Sequence, residues 1–227
     1  MRGCHFTIIC NHYLFIRTCH YSNEIGKRGN METVADAFKG LAATVNSRKP
    51  QVTVKQFSDA CSLFSGLFGI LDTSFKFAKM DYVGKLNDLA AASRSISTLE
   101  EMIDKDIEAG CVKKYGSHTR NLLKVKQGLE MIKVLCEELL ATEGDDSLKD
   151  AATKAYNQVL FPHHQYNIQK ACATGLNSLP SKSLVLLLLG EAEETINVHL
   201  QSYVTASTPV IAYLDKLFLS KNLGIDW

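Results

Sequence analysis

The stretch Ser117-His-Thr-Arg-Asn-Leu-Leu-Lys-Val-Lys-Gln-Gly-Leu-Glu-Met-Ile-Lys-Val-Leu-Cys-Glu-Glu-Leu-Leu140 decides the architecture. Leu122, Val125, Leu129, Ile132 and Cys136 recur at three- and four-residue steps over about six turns, the period of one α-helical face. Upstream the same period returns. Thr98 with Glu101 is a capping box that opens a helix fading near Gly110, and a helix from about Phe75 to Ser93 precedes it. Thr53 with Gln56 opens another, whose stripe is Phe57, Cys61, Phe64, Phe68 and Leu71. An amphipathic helix begins at Met31. Downstream, Glu143 to Asp146 reads as a polar turn, Ser147 with Asp150 as a helix start, and Pro162 as a first-turn proline for the helix that Pro180 ends. The apolar pattern that opens at Leu184 continues through Ile196 and Val204, and Pro209 is expected to break or start the last helix, which runs to about Asn222. Alternating strand-like runs are nearly absent, so the expectation is an all-α fold of about eight helices with short connections.

Composition narrows the function. The chain has 227 residues, 22% of them charged, with 25 Lys and Arg against 24 Asp and Glu. A net charge of +1 does not drive bulk nucleic-acid binding, so nucleic acid is not an expected partner. The longest uninterrupted apolar run, Leu184 to Leu189, is far short of a membrane span. Residues 1–30 differ from the rest: Arg2, Arg17, Lys27 and Arg28 against Glu24 give +3, while the other 197 residues carry −2. This segment also holds Cys4, Cys10, Cys19, His5, His12 and His20, without the paired ligand arms of a zinc finger, and no metal is expected. Phe6 to Ile16 is interrupted by Cys10, Asn11 and His12, unlike a secretory signal. Residues 1–30 are expected to be a disordered or targeting extension, with residues 31–227 as one domain. Cys61, Cys111, Cys136 and Cys172 are widely spaced, which fits reduced thiols of the cytosol better than a disulfide framework.

No P-loop, dinucleotide glycine fingerprint, HExxH or G-x-S-x-G occurs. What remains is charge at helical spacing. Asp81, Lys85 and Asp88 share one helix face, most simply a solvated ion pair. Arg120 and Lys124 place two cations four residues apart beside Asn121; like charges repel at that spacing, and a bound anion between them would relieve the repulsion. Of the adjacent His163 and His164, about 100° apart on a helix, one is expected to face inward.

These segments carry a resemblance. Asp81-Tyr-Val-Gly-Lys85-Leu-Asn-Asp-Leu, Gly116-Ser-His-Thr-Arg120-Asn-Leu-Leu-Lys-Val125, Phe161-Pro-His-His164-Gln-Tyr166 and the ending Ile225-Asp-Trp227 resemble the glycolipid transfer protein family, in its ceramide-1-phosphate branch. Segments outside the site join it: Ser147-Leu-Lys-Asp-Ala-Ala-Thr-Lys-Ala-Tyr156 and Tyr213-Leu-Asp-Lys-Leu217. The resemblance spans roughly residues 31–227. It implies a two-layer α-helical sandwich enclosing an apolar lipid slot. By position, Asp81 would accept from the sphingolipid amide N–H, His164 would donate to its carbonyl, and Lys85, Arg120 and Lys124 would hold a phosphate. Lys124 stands where this branch usually has a second arginine; it keeps the charge but not the planar fork. Sugar-binding members place Asn at the position of Lys85 and Trp at that of Arg120, and neither is present. Tyr166 replaces a frequent Trp.

Candidate slot residues are Phe57, Phe64, Leu67, Phe68, Leu129, Ile132, Val159 and Ile168, each taken singly also an ordinary core residue. The implied function is carriage of ceramide-1-phosphate or phyto-ceramide-1-phosphate between membranes, with a role in restraining plant programmed cell death. No cofactor or enzymatic step is implied. Contact with membranes would be transient and peripheral, from the cytoplasm, and membrane-associated protein partners are compatible with it. The alternative is a lipid-sensing interaction module with little transfer. An acid/base enzyme built on Asp81 and His164 lacks a recognised nucleophile, metal set or phosphate loop.

Overall fold

The structure, a computed structural model, describes residues 30–67, 76–141 and 147–227. In chain order the helices are α1 (Met31–Val45), α2 (Val54–Ser62), α3 (Phe64–Leu67), α4 (Lys76–Ala92), α5 (Leu99–Glu108), α6 (His118–Ala141), α7 (Ser147–Val159), α8 (Tyr166–Asn177), α9 (Lys182–Leu189) and α10 (Glu193–Ser220). A 3₁₀ turn, Phe161–His163, joins α7 to α8. Residues 1–29, Phe68, Leu71 and the turn at Glu143 to Asp146 lie outside the described residues.

The starts follow local chemistry. Asn30 Oδ1 accepts from Thr33 N–H at 2.9 Å, Thr53 Oγ1 from Gln56 N–H at 3.1 Å, and Thr98 Oγ1 from Glu101 N–H at 3.1 Å. Each cap stabilises by about 1 kcal/mol. Val54 N–H donates to Ser97 O, and Leu99 N–H to Val52 O, both at 3.0 Å, so α2 and α5 begin side by side from one antiparallel bridge. No β-strand is present among the described residues apart from this isolated pairing.

The long helix read from the sequence is the hub. α6 packs on α4, α5, α7 and α10; α10 also lies along α1, and α7 carries α8. This is the two-layer α-sandwich that the resemblance implies. Phe57 and Leu129 are fully buried, and Phe64 nearly so. Phe38, Phe64 and Tyr203 meet edge to face, with ring centres 5.1–5.8 Å apart, tying α1, α3 and α10. Two buried tyrosine hydroxyls find acceptors: Tyr203 donates to Leu129 O at 3.2 Å and Tyr82 to Cys61 O at 3.0 Å, which avoids the cost of an unpaired buried donor.

Several expectations are corrected. Pro209 neither breaks nor starts a helix; it lies inside α10, a continuous 28-residue helix. A proline there removes one helical hydrogen bond. Tyr203, Ala206, Ser207, Val210, Ile211 and Leu214 around it are buried, and that packing outweighs the loss. The pattern from Leu184 does not run on into Ile196, because Gly190 adopts φ 72° and ends α9; its N–H donates to Leu186 and Leu187 carbonyls. The stripe beginning at Phe57 is divided at Leu63 into α2 and α3. Pro162 lies in the 3₁₀ turn, and α8 begins later, at Tyr166.

The four described cysteines are free. Burial pushes the Cys61 thiol well up and the Cys136 thiol up to about 12, so neither offers thiolate at neutral pH. Peptide-mapped alkylation of the native protein is expected to label the half-buried Cys172 well before Cys61 and Cys136, which react only on unfolding. Equal rates for Cys136 and Cys172 would mean that the core opens.

Candidate functional site

The start of α6 is built by two side chains. Ser117 Oγ accepts from Arg120 N–H at 3.1 Å and donates to Val112 O at 2.7 Å. From α5, the buried Asp106 accepts from Thr119 N–H at 2.7 Å. An acceptor at that end is favoured by the helix dipole as well as by the free N–H groups. This anchorage fixes the turn from which Arg120 and Lys124 project.

α4 is then locked to α6. Asp88 Oδ2 lies 2.9 Å from His118 Nδ1 and 2.7 Å from Asn121 Nδ2, so Asp88, read as part of one face with Asp81 and Lys85, is turned to the neighbouring helix. One turn away, Asp81 pairs with Lys85; Asp81 is largely exposed, whereas Lys85 is 18% exposed.

Across from this pair stands Lys124. Its Nζ donates to Gln127 Oε1 at 3.0 Å and to the main-chain oxygen of Trp227 at 2.9 Å. Two of its three protons are thereby engaged. Burial, then the charges of Arg120 and Lys85, lower its proton affinity, and Asp81 opposes them. Arg120 Nη1 donates to Lys113 O at 3.0 Å, leaving most of the guanidinium fork open. The Lys113 ammonium sits 5.2 Å from the Trp227 ring centre, and the Trp227 indole N–H donates to Leu223 O at 2.8 Å; the bonds from Lys124 to Trp227 O and from Gln127 to Ile225 O hold these last residues against α6.

His164 closes the site from the α7–α8 junction. Burial, then the charges of Lys124, His163 and Lys85, lower its proton affinity against the pull of Asp81, so the imidazole is neutral at pH 7. The mutual influence of these charges means that Asp81, Lys85, Lys124 and His164 lie together, with Arg120 one turn from Lys124. Of the adjacent histidines both are half-buried. Such a cluster offers an acceptor, a neutral imidazole and three cations, a set that can take an anion beside an amide. Among the described residues no group of His, Cys, Asp and Glu is arranged to hold a metal.

The candidate slot residues divide. Phe57, Phe64 and Leu129 are in the main core, and Leu67 and Ile132 pack against it half-buried. Val159 belongs to a small separate cluster with Val134 and Ala155. Ile168 is not gathered with them: it is 46% exposed on α8, because the helix starts at Tyr166 and turns that side outward. Phe68 lies outside the described residues. No single described helix is long and apolar enough to cross a membrane; α8 and α9 reach that composition only together, bent by 76°.

Three participants were not legible as such. Asp106, the Trp227 main-chain oxygen and Tyr156 reach the site through tertiary contacts; Tyr156 belongs to a segment placed outside the site, yet its hydroxyl lies 3.1 Å from His164 Nδ1. The eight-residue separation was its one local signal.

Comparison with known proteins bears on the family and the fold. The family model described as Glycolipid transfer protein matches residues 52–191. Accelerated cell death 11 of Arabidopsis thaliana is 59% identical over 197 residues, covering 87% of this chain and 96% of its own. A crystal structure of a mutant of that Arabidopsis protein complexed with C12 ceramide-1-phosphate superposes with a TM-score of 0.85 at 58% identity, covering 87% of this chain and 98% of that one. Human ceramide-1-phosphate transfer protein, at 18% identity, shares the fold with a TM-score of 0.75 over 86% of this chain and 98% of its own. By the extent of the family match and the identity to the Arabidopsis relative, this chain belongs to the glycolipid transfer protein family.

Proposed function

We propose that this protein binds ceramide-1-phosphate, or a related phosphosphingolipid such as phyto-ceramide-1-phosphate, and carries it between membranes. The observation that supports this most directly is the meeting of Lys85, Arg120 and Lys124 with Asp81 and a neutral His164. Three cations suit a phosphate. An acid beside an imidazole donor suits the amide that sphingolipids have and glycerolipids lack. A sugar ring offers no charge to offset these cations. The ceramide complex of the Arabidopsis relative and its name extend the reading to restraint of plant programmed cell death.

Transfer through water requires enclosure of the chains. A twelve-carbon acyl chain alone costs roughly 10 kcal/mol when exposed, at about 0.8 kcal/mol per CH₂. Phe57, Phe64, Leu67, Leu129 and Ile132 are placed to supply that enclosure if the helices part. Residues 31–227 form the lipid-binding unit in this reading, and the protein works in the cytoplasm, touching membranes peripherally and meeting membrane-associated partners there.

The test is intervesicle transfer of fluorescent ceramide-1-phosphate. Transfer is expected to be fast with this protein and slow for galactosylceramide. Galactosylceramide moving at an equal or greater rate would refute the headgroup assignment, and saturable binding without transfer would make the protein a sensor.

A further inference from the structure

Tyr156 is buried on α7, its ring edge-on to Phe161 at 6.1 Å and packed with Ala152 and Leu176. Such a side chain has one fixed position for its hydroxyl. That hydroxyl lies 3.1 Å from His164 Nδ1. The backbone of His164 is held as well: its N–H donates to Phe161 O, and Gln169 Nε2 donates to its carbonyl at 2.9 Å. Among the described residues His164 Nε2 has no hydrogen-bond partner.

A neutral imidazole carries one proton, on either nitrogen. We propose that Tyr156 is a positioning residue for the headgroup site: its hydroxyl donates to His164 Nδ1, which locks the ring and leaves the proton on Nε2, where it serves as the donor to the ligand's amide carbonyl. This rests on the reading that His164 meets that carbonyl. The direction of the bond follows from the groups present. Burial and the neighbouring Cys172 make Tyr156 a weaker acid than an ordinary tyrosine, so the phenol keeps its proton. It has two acceptors within reach, imidazole nitrogen and thiol sulfur, and the sulfur is much the weaker. Burial, with the charges of Lys124, His163 and Lys85, favours neutral His164 against Asp81, so one ring nitrogen has a lone pair, and Nδ1 is the nitrogen that faces the phenol proton. The hydrogen-bonded partner of one ring nitrogen thus sets the state of the other.

The experiment is long-range ¹H–¹⁵N NMR of ¹⁵N-histidine-labelled, lipid-free protein at mildly alkaline pH, with His164→Gln identifying the resonances. The expected result is Nδ1 at the unprotonated limit and Nε2 protonated, with Tyr156→Phe moving both toward averaged values and weakening ceramide-1-phosphate binding by roughly threefold to tenfold, the size of one neutral hydrogen bond. A wild-type proton on Nδ1, or His164 resonances that Tyr156→Phe leaves unchanged, would overturn the proposal. If the tautomer is locked as described but Tyr156→Phe leaves lipid affinity intact, the contact assigned to His164 is wrong and the functional half of the proposal falls with it. The wild-type spectrum decides the tautomer whether or not the variant folds.

Discussion

Arg120→Leu is expected to weaken ceramide-1-phosphate binding by roughly tenfold to a hundredfold, with thermal unfolding almost unchanged. The size follows from charge-assisted hydrogen bonds, which contribute about 1.5–3 kcal/mol. The near-neutral effect on folding follows from what the side chain does in the free protein. Among the described residues its one hydrogen bond is to Lys113 O at the surface, and its charge adds repulsion at Lys124. Removing it raises the proton affinity of Lys124, so the remaining ammonium keeps its charge to higher pH; it cannot replace the lost fork, because two of its donors are committed to Gln127 and Trp227. Arg120→Lys is expected to recover part of the affinity. Equilibrium binding to a ceramide-1-phosphate of fixed chain length, at two salt concentrations, measures the effect. Undiminished affinity in Arg120→Leu would remove Arg120 from the site.

Much of this arrangement could be read from the chain, and the division has a physical cause. Caps act over three residues, so Thr53 with Gln56 and Thr98 with Glu101 announce their helices, and the α6 stripe announces its buried face. Pro209 misled because a local helix penalty was weighed without the tertiary burial that surrounds it. Gly190 went unread because an apolar pattern crosses it, while its left-handed conformation does not depend on that pattern. At the site, Asp81, Lys85, Arg120, Lys124 and His164 were nameable by resemblance. Their supports were not. Asp88 meets His118 across 30 positions and Asn121 across 33, and Lys124 meets Trp227 across 103. No local period encodes contacts at such separations.

Phe64→Ala is expected to lower the stability of the lipid-free protein by about 3–5 kcal/mol, the cost of removing a buried aromatic ring and leaving a cavity. Phe64 is 2% exposed and contacts both Phe38 and Tyr203 edge to face, so α1, α3 and α10 all lose a contact at once. For a domain of this size the melting temperature should fall by roughly 6–20 °C. The informative quantity is the shift that ligand adds back. If lipid chains enter by parting the helices beside Phe64, hydrocarbon refills the space in Phe64→Ala, and ceramide-1-phosphate raises the melting temperature of the variant more than that of the wild type. A ligand that binds only the native state stabilises in proportion to the logarithm of its concentration over its dissociation constant, so a larger shift at equal concentration means tighter binding by the hollowed protein. Equal shifts would make Phe64 a plain core residue and move the slot elsewhere among Phe57, Leu67, Leu129 and Ile132. The comparison separates the two roles a single aromatic ring can have here, because core packing alone predicts loss in both states, whereas lining predicts a loss that the cargo itself repairs.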